Sequence, residues 1–420
     1  MNKAFAVSLR HLFKNNNFCR QIMETLFAIN NQLLELTSTA FIRSMMDDIP
    51  WNERLVSLRG SRGVGKTTLL LQYQKLNYGI NNRKALYAQL DGIYFTQHTL
   101  FELAERFYQQ GGEMLLLDEV HCYPHWSKEI KAVYDTYPSL RIVFTGSSLL
   151  QIFNAEADLS RRCLTYTMQG LSYREYLRMF HDLDIPRCSL DDILTHATDI
   201  CSSLFGKFRP LQHFNDYLLN GYYPFRKELP ERYQMRLTNV VDMILNVELP
   251  LVCGVEIGNV RRLKALLVVM ASQVPLQVDV SKLAALAGVS RNTLLAYLQY
   301  MQRAGLIRLL YSDELSVKKM QKPDKILLEN TNLMRVLSLS EPDTGTLRET
   351  FFCNQLGSSH QIEYSQQGDF LIDSRFTFEV GGKAKDGRQI AGKADAYIAA
   401  DNLELPAGNK IPLWLFGLLY

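Results

Sequence analysis

The chain has 420 residues, 47% hydrophobic and 21% charged, with 46 Lys and Arg against 43 Asp and Glu. That balance fits a well-cored globular chain of about two to four domains and excludes a disordered or low-complexity one. A net charge of +3 implies neither nucleic acid nor a membrane surface by itself.

Seven cysteines lie scattered along the chain, an odd count with no Cys-x-x-Cys. This suits reduced thiols and argues against a disulfide framework or a zinc ribbon. No apolar run approaches the roughly 18 residues of a membrane span, and Met1 to Asn17 lacks the pattern of a cleaved leader. The expectation is a cytoplasmic protein with no membrane partner.

Residues 1–48 read as helical, with Ile22, Leu26, Ile29, Leu33 and Leu36 spaced to form one inward face. The short apolar strand Leu55-Val56-Ser57-Leu58 follows. It runs into Gly60-Ser61-Arg62-Gly63-Val64-Gly65-Lys66-Thr67 and then into an apolar helix. Glycines at 60, 63 and 65 let successive backbone N–H groups converge on an anion, and the helix N-terminus adds its partial positive charge there. Lys66 is placed to reach the β- and γ-phosphates, the Thr67 hydroxyl to ligate Mg²⁺, and Thr68 to flank the site.

A strand is expected at Ala85–Asp91 and a helix from Leu100 to Tyr108. Met114-Leu115-Leu116-Leu117-Asp118-Glu119 is then an apolar run ending in two carboxylates. A buried parallel strand reads this way, and ligands gather at its C-terminal end. Asp118 would hold the Mg²⁺ shell and Glu119 would polarise an attacking water, so the pair implies ATP, Mg²⁺ and hydrolysis. The strand at 85–91 is expected to set Glu119 apart from the phosphate loop. In His121-Cys122-Tyr123-Pro124-His125, Pro124 breaks the helix that would align two histidines, which argues against a metal site there.

A third strand, Arg141 to Ser148, ends in small hydroxyl residues. Ser147 is read either as a polar sensor of the γ-phosphate or as a helix cap. The motif at 118–121, with Trp126-Ser127, Lys131, Tyr134-Asp135 and Phe144-Thr145-Gly146-Ser147-Ser148, resembles prokaryotic ATP-binding proteins of the AAA superfamily. So do Leu171-Ser172-Tyr173-Arg174-Glu175-Tyr176-Leu177, Tyr217 to Pro224 and Phe378-Glu379-Val380-Gly381-Gly382-Lys383. In that family an ATPase module precedes a C-terminal domain of unknown function. Family members often carry Gly-Arg after the sensor strand. Here the segment is Asp158-Leu159-Ser160-Arg161-Arg162, so Arg161 or Arg162 would serve the γ-phosphate, or both are solvated. The absence of Asn-Lys-x-Asp and of Leu-Ser-Gly-Gly-Gln argues against a GTPase and a transporter-type ATPase.

Residues 176–271 read as a helical lid interrupted by prolines. In 272–318, a helix from Val280 capped by Ser281, the turn Gly288-Val289-Ser290, a helix from Arg291 to Ala304 and a strand at Leu306–Tyr311 make a winged helix-turn-helix. Arg291, Asn292, Thr293 and Tyr297 would face duplex DNA, or the module packs between domains.

Residues 319–420 read as an α/β restriction-nuclease-like domain, with strands at Asp369–Asp373 and Phe376–Val380 and a last strand at Trp414–Tyr420. Asp369, Glu379 and Lys383 form a possible second metal site. Such enzymes normally carry the lysine two residues after the Glu, where this chain has Gly381, so little or no cleavage is expected.

The fold class is therefore α/β. A P-loop ATPase domain with a parallel sheet (49–175) follows a helical segment (1–48) and precedes the lid, the winged helix and the nuclease-like domain. The leading reading is an Mg²⁺-dependent ATP-hydrolysing switch or motor associated with DNA, in a possible homo-oligomer. The alternative is an ATP-controlled signalling or interaction protein.

Overall fold

The computed structural model describes residues 23–146, 159, 161–272, 279–312 and 322–420. Ser147, Ser148, Asp158 and Ser160 lie outside the described residues. Two compact units are present. Among the described residues, the first holds 23–59, 66–146, 159 and 161–166, and the second holds 60–65 and those from 167 onward.

The first unit is built on strands β1 (Leu55–Arg59), β2 (Ala85–Gln89), β3 (Met114–Asp118), β4 (Arg141–Thr145) and β5 (Leu164–Thr167), in the order β2-β3-β4-β1-β5. The pairs β2–β3, β3–β4 and β1–β4 are all parallel. Met114 to Leu117 are fully buried, as a central strand covered on both faces requires. The strand expected to separate the phosphate loop from the carboxylates lies elsewhere. β2 takes the edge, and β4, which follows the carboxylates in the chain, sits between β1 and β3. Chain order does not reveal which crossover inserts.

Residues 23–36 form a helix whose buried face is Met23, Phe27, Asn30 and Leu34. The expected face is displaced: Ile29 is 50% and Leu36 77% exposed. Phe27 and Met23 join the sheet core, and the Asn30 side chain accepts a hydrogen bond from the Tyr87 N–H at 2.9 Å. A buried polar residue thus sets the face, which an apolar count misses. Helix Leu100–Gln109 starts at a reciprocal cap between Thr99 and Glu102.

The second unit opens with helices Tyr173–His181, Leu190–Leu204, Pro210–Asn220 and Tyr233–Met243, and Ile257–Ser272 follows. Pro210 sits at the first turn of its helix, where the missing N–H costs nothing. Asn332 is fully buried and satisfied. Its amide donates to the Tyr217 and Leu218 carbonyls at 3.2 and 2.9 Å, and its oxygen accepts from the Tyr222 N–H at 2.9 Å.

Helices Val280–Ala287 and Arg291–Arg303 precede the antiparallel pair β6 (Ile307–Leu310) and β7 (Lys325–Leu328). The first helix is capped by Asp279 rather than Ser281: the Asp279 carboxylate accepts from the N–H groups of Ser281 and Lys282 at 3.0 and 3.1 Å. Ser290 caps the second, accepting from Thr293 N–H.

Helix Thr344–Leu356 then packs on a five-stranded sheet in the order β12-β11-β10-β9-β8. Its strands are β8 (Ile362–Tyr364), β9 (Phe370–Ile372), β10 (Phe376–Gly382), β11 (Ala396–Asp401) and β12 (Lys410–Pro412). β8, β9 and β10 are antiparallel neighbours, whereas β10, β11 and β12 run parallel. The expected last strand is instead a 3₁₀ turn at Leu413–Leu418 with every side chain buried. A continuous apolar run carries no period, so it fixes burial without fixing conformation. The Tyr420 carbonyl accepts from Ser172 Oγ at 2.6 Å and Arg174 Nε at 3.0 Å.

Candidate nucleotide site and a second carboxylate cluster

The ends of β1, β3 and β4 bring the expected residues together. Lys66 opens helix Lys66–Asn77 with only 5% of its surface exposed. The Thr67 hydroxyl donates to Asp118 Oδ2 at 2.6 Å. Thr68, one residue on, faces solvent. Glu119 stands directly after β3 in the left-handed region, with φ 54° and ψ 40°. A non-glycine residue held there is strained, and such strain concentrates at functional sites. His121 Nε2 lies 3.5 Å from Glu119 Oε2. Ligand atoms of Glu119, His121 and Cys122 gather within 4.8 Å, although Cys122 is exposed.

The phosphate loop uses its glycines for two distinct reasons. Gly60 has φ 152°, and a side chain there would collide with the Met168 carbonyl. Gly63 has φ 84°, and a Cβ would meet the Phe225 ring at 2.8 Å. Neither position accepts another residue without a shift in backbone or ring.

Two further residues complete the site. Tyr87 on β2 donates its phenol proton to Asp118 Oδ2 at 2.8 Å. Burial, reinforced by the Asp118 carboxylate, pushes the Tyr87 phenol far up, so it keeps that proton. Thr145, the last residue of β4, donates to Asp118 Oδ1 and accepts from Glu119 N–H at 3.4 Å. Ser147, expected as a sensor or a helix cap, lies outside the described residues; the hydroxyl that reaches Asp118 at the end of β4 is that of Thr145. Tyr87 gave no signal, because its role depends on β2 pairing with β3.

Arg162 is bound to Asp135 through two hydrogen bonds of 3.1 and 3.3 Å, whereas Arg161 is exposed. Near the second module, Arg291 and Asn292 are exposed, whereas Tyr297 is 9% exposed and accepts from Asn259 Nδ2 at 3.1 Å.

In the C-terminal sheet, the antiparallel register ends with Phe370 opposite Phe378; just beyond it, the Asp369 N–H donates to the Phe378 carbonyl at 2.8 Å and its Oδ2 accepts from the Val380 N–H at 2.7 Å. The lysine that meets Glu379 is Lys385, at 2.9 Å, and not the expected Lys383. The Lys385 stem crosses Gly381, where a Cβ would lie 2.9 Å from its Cδ. Lys325 pairs with Glu349 of the overlying helix at 2.7 Å. Burial, then the nearby Asp369 charge, raises the Glu349 carboxyl above its ordinary value despite Lys325.

Residues 52–177 match the AAA domain family, and residues 211–343 match a domain of unknown function. An uncharacterized protein of Methanocaldococcus jannaschii is 25% identical over 368 residues, covering 80% of this chain and 77% of that protein. A Walker-type ATPase of Pyrococcus abyssi is similar at 14% identity, over 71% of this chain and 95% of that one, with a TM-score of 0.44. AMPPCP-bound DnaA from Aquifex aeolicus is similar at 15% identity, over 61% and 84% of the two chains, with a TM-score of 0.25. No helix among the described residues is long and apolar enough to cross a membrane. The strand–loop–helix at 55–77 and the carboxylates ending β3 thus lie within the stretch, 52–177, that matches the AAA domain family.

Proposed function

We propose that this protein binds ATP with Mg²⁺ and hydrolyses it, and that the cycle drives a DNA-associated switch or motor. The observation that carries the reading is the apposition of Thr67 and Asp118 at 2.6 Å beside a strained Glu119. A hydroxyl and a carboxylate brought together at the foot of a phosphate loop are the hard oxygen donors that Mg²⁺ takes. The group fits these residues: Thr67 and Asp118 would hold the ion, directly or through water, and Lys66 would meet the phosphates. The bound ion would neutralise charge on the phosphate oxygens. Glu119 would orient and polarise the attacking water, with Thr145 fixing its backbone N–H. Of the two arginines after the sensor strand, Arg161 would answer the γ-phosphate from its exposed position in a homo-oligomer, Arg162 being engaged by Asp135.

The segments at 272–318 and 319–420 would form a winged helix and a nuclease-like domain with little or no cleavage activity. Arg291 and Asn292 would touch duplex DNA. A second reading, an ATP-controlled interaction protein, draws support from the burial of Tyr297 against Asn259. There the helix pair is a packing module. Binding to random duplex DNA across salt separates the two. Phosphate contacts lose affinity steeply between roughly 50 and 200 mM salt, whereas an interaction module shows no binding to lose.

A further inference from the structure

We propose that Arg62 is shared between two anions, the Glu248 carboxylate and the phosphates of bound ATP. Glu248 then restrains nucleotide binding, and the helical turn that carries it opens when the nucleotide arrives. This sharing rests on the ATP reading of the phosphate loop given above and adds a positioning residue to it.

Both partners belong to the second unit, which holds residues 60–65. Arg62 is the third residue of the loop, and its Nη1 stands 3.4 Å from Glu248 Oε1. The two ends of the pair are unequally held: the Glu248 side chain is 9% exposed, that of Arg62 38%. The loop backbone has other supports in the same unit. Gly63 faces the Phe225 ring, which stacks on Tyr223 at 5.3 Å, and Gly65 faces Pro224. These apolar contacts seat the loop without help from the ion pair.

Distance and charge decide between a brace and an exchangeable contact. A charge-assisted N–H···O bond in good geometry spans about 2.7–2.9 Å. One contact of 3.4 Å on a partly exposed guanidinium is weak and adds little to stability. A guanidinium presents a fork of donors that matches phosphate oxygens, and a triphosphate seated on the loop carries several negative charges against the one of Glu248. The phosphates therefore win Arg62.

Glu248 cannot follow its partner. It ends a π-helical turn, Ile244–Glu248, in which the Leu249 N–H bonds the Ile244 carbonyl five residues back. Such turns are rare and concentrate at functional sites. A carboxylate buried there is costly once its cation leaves, and the turn relieves that cost by opening Glu248 to water. Asn246 and Val247 beside it already face solvent. The free energy of opening is subtracted from nucleotide affinity. By linkage, ATP loosens the turn, and a turn without its charge favours ATP.

The test is calorimetric titration of the full chain with AMPPCP and Mg²⁺, beside hydrogen exchange of residues 244–250. Glu248→Gln should tighten AMPPCP about threefold or more, a gain that a misfolded variant cannot produce. Arg62→Ala should weaken it, and adding Glu248→Gln to Arg62→Ala should change nothing further, because the effect of Glu248 runs through Arg62. AMPPCP should speed exchange across 244–250 in the wild type and leave it unchanged in Arg62→Ala. Weaker or equal AMPPCP binding in Glu248→Gln overturns the sharing and leaves the ATP reading standing. So does a Glu248→Gln effect that persists without Arg62, or wild-type exchange that AMPPCP does not alter. A wild type that takes up no AMPPCP removes the ATP reading, and the sharing with it.

Discussion

Tyr87 and Asp118 meet through one hydrogen bond of 2.8 Å, and the oxygen that accepts it, Oδ2, is the one Thr67 also reaches. The Asp118 carboxylate is thus held in place from β2. Asn30, by binding the Tyr87 N–H, ties residues 23–36 to the same device.

Tyr87→Phe removes that donor and leaves the ring. A hydrogen bond to a charged group is worth about 1.5–3 kcal/mol. Turnover should fall roughly tenfold to a hundredfold, with ATP affinity within about threefold, since Tyr87 would act only through Asp118. Steady-state rates across Mg²⁺ concentrations should show the loss partly restored by excess Mg²⁺. An unchanged rate would mean the bond is structural.

Thr145→Val keeps the shape and deletes the hydroxyl that touches both Asp118 and the Glu119 N–H. The expected loss is in turnover, on the order of a hundredfold, as for one preorganised donor. Fluorescent-nucleotide binding should stay near wild type. Equal losses in binding and rate would assign Thr145 to the ground state instead.

The arrangement of the first unit was legible because its signals are local. The phosphate loop, the apolar run of β3 and its two carboxylates are contiguous in sequence, and each is found where the pattern puts it. What was not legible depended on pairing. Tyr87, Thr145 and Lys385 acquire partners only when β2 lies beside β3, β4 inserts next to β1, and the chain doubles back over Gly381. The 3₁₀ turn at Leu413–Leu418 failed for another reason, since uniform apolarity has no period to read.

The two arginines should separate by readout. Arg162→Ala breaks a partly exposed pair with Asp135, worth about 0–1 kcal/mol, and should shift the melting temperature slightly with little change in rate. Arg161→Ala should cost turnover without binding. If Arg161 acts on a neighbouring copy, mixing Arg161→Ala with Lys66→Ala protein restores part of the activity. Full activity in Arg161→Ala alone would leave both arginines as surface residues.

For the helix pair, Arg291→Ala with Asn292→Ala should weaken duplex binding about tenfold or more and flatten its salt dependence. Both side chains are exposed, so folding is unaffected. Fluorescence anisotropy with labelled duplex reads the change. Identical isotherms for a folded variant would favour the packing role that the buried Tyr297 suggests.

The central claim is that Glu119 acts in hydrolysis and Lys66 in binding. Single-turnover hydrolysis beside nucleotide affinity, measured on Glu119→Gln and Lys66→Ala together, tests it most directly. The amide at 119 cannot polarise water, so Glu119→Gln should bind ATP within about threefold of wild type and hydrolyse it at least a hundredfold more slowly. Lys66→Ala should lose binding itself. Near-normal hydrolysis in either variant, or loss of ATP binding in Glu119→Gln, would contradict the account.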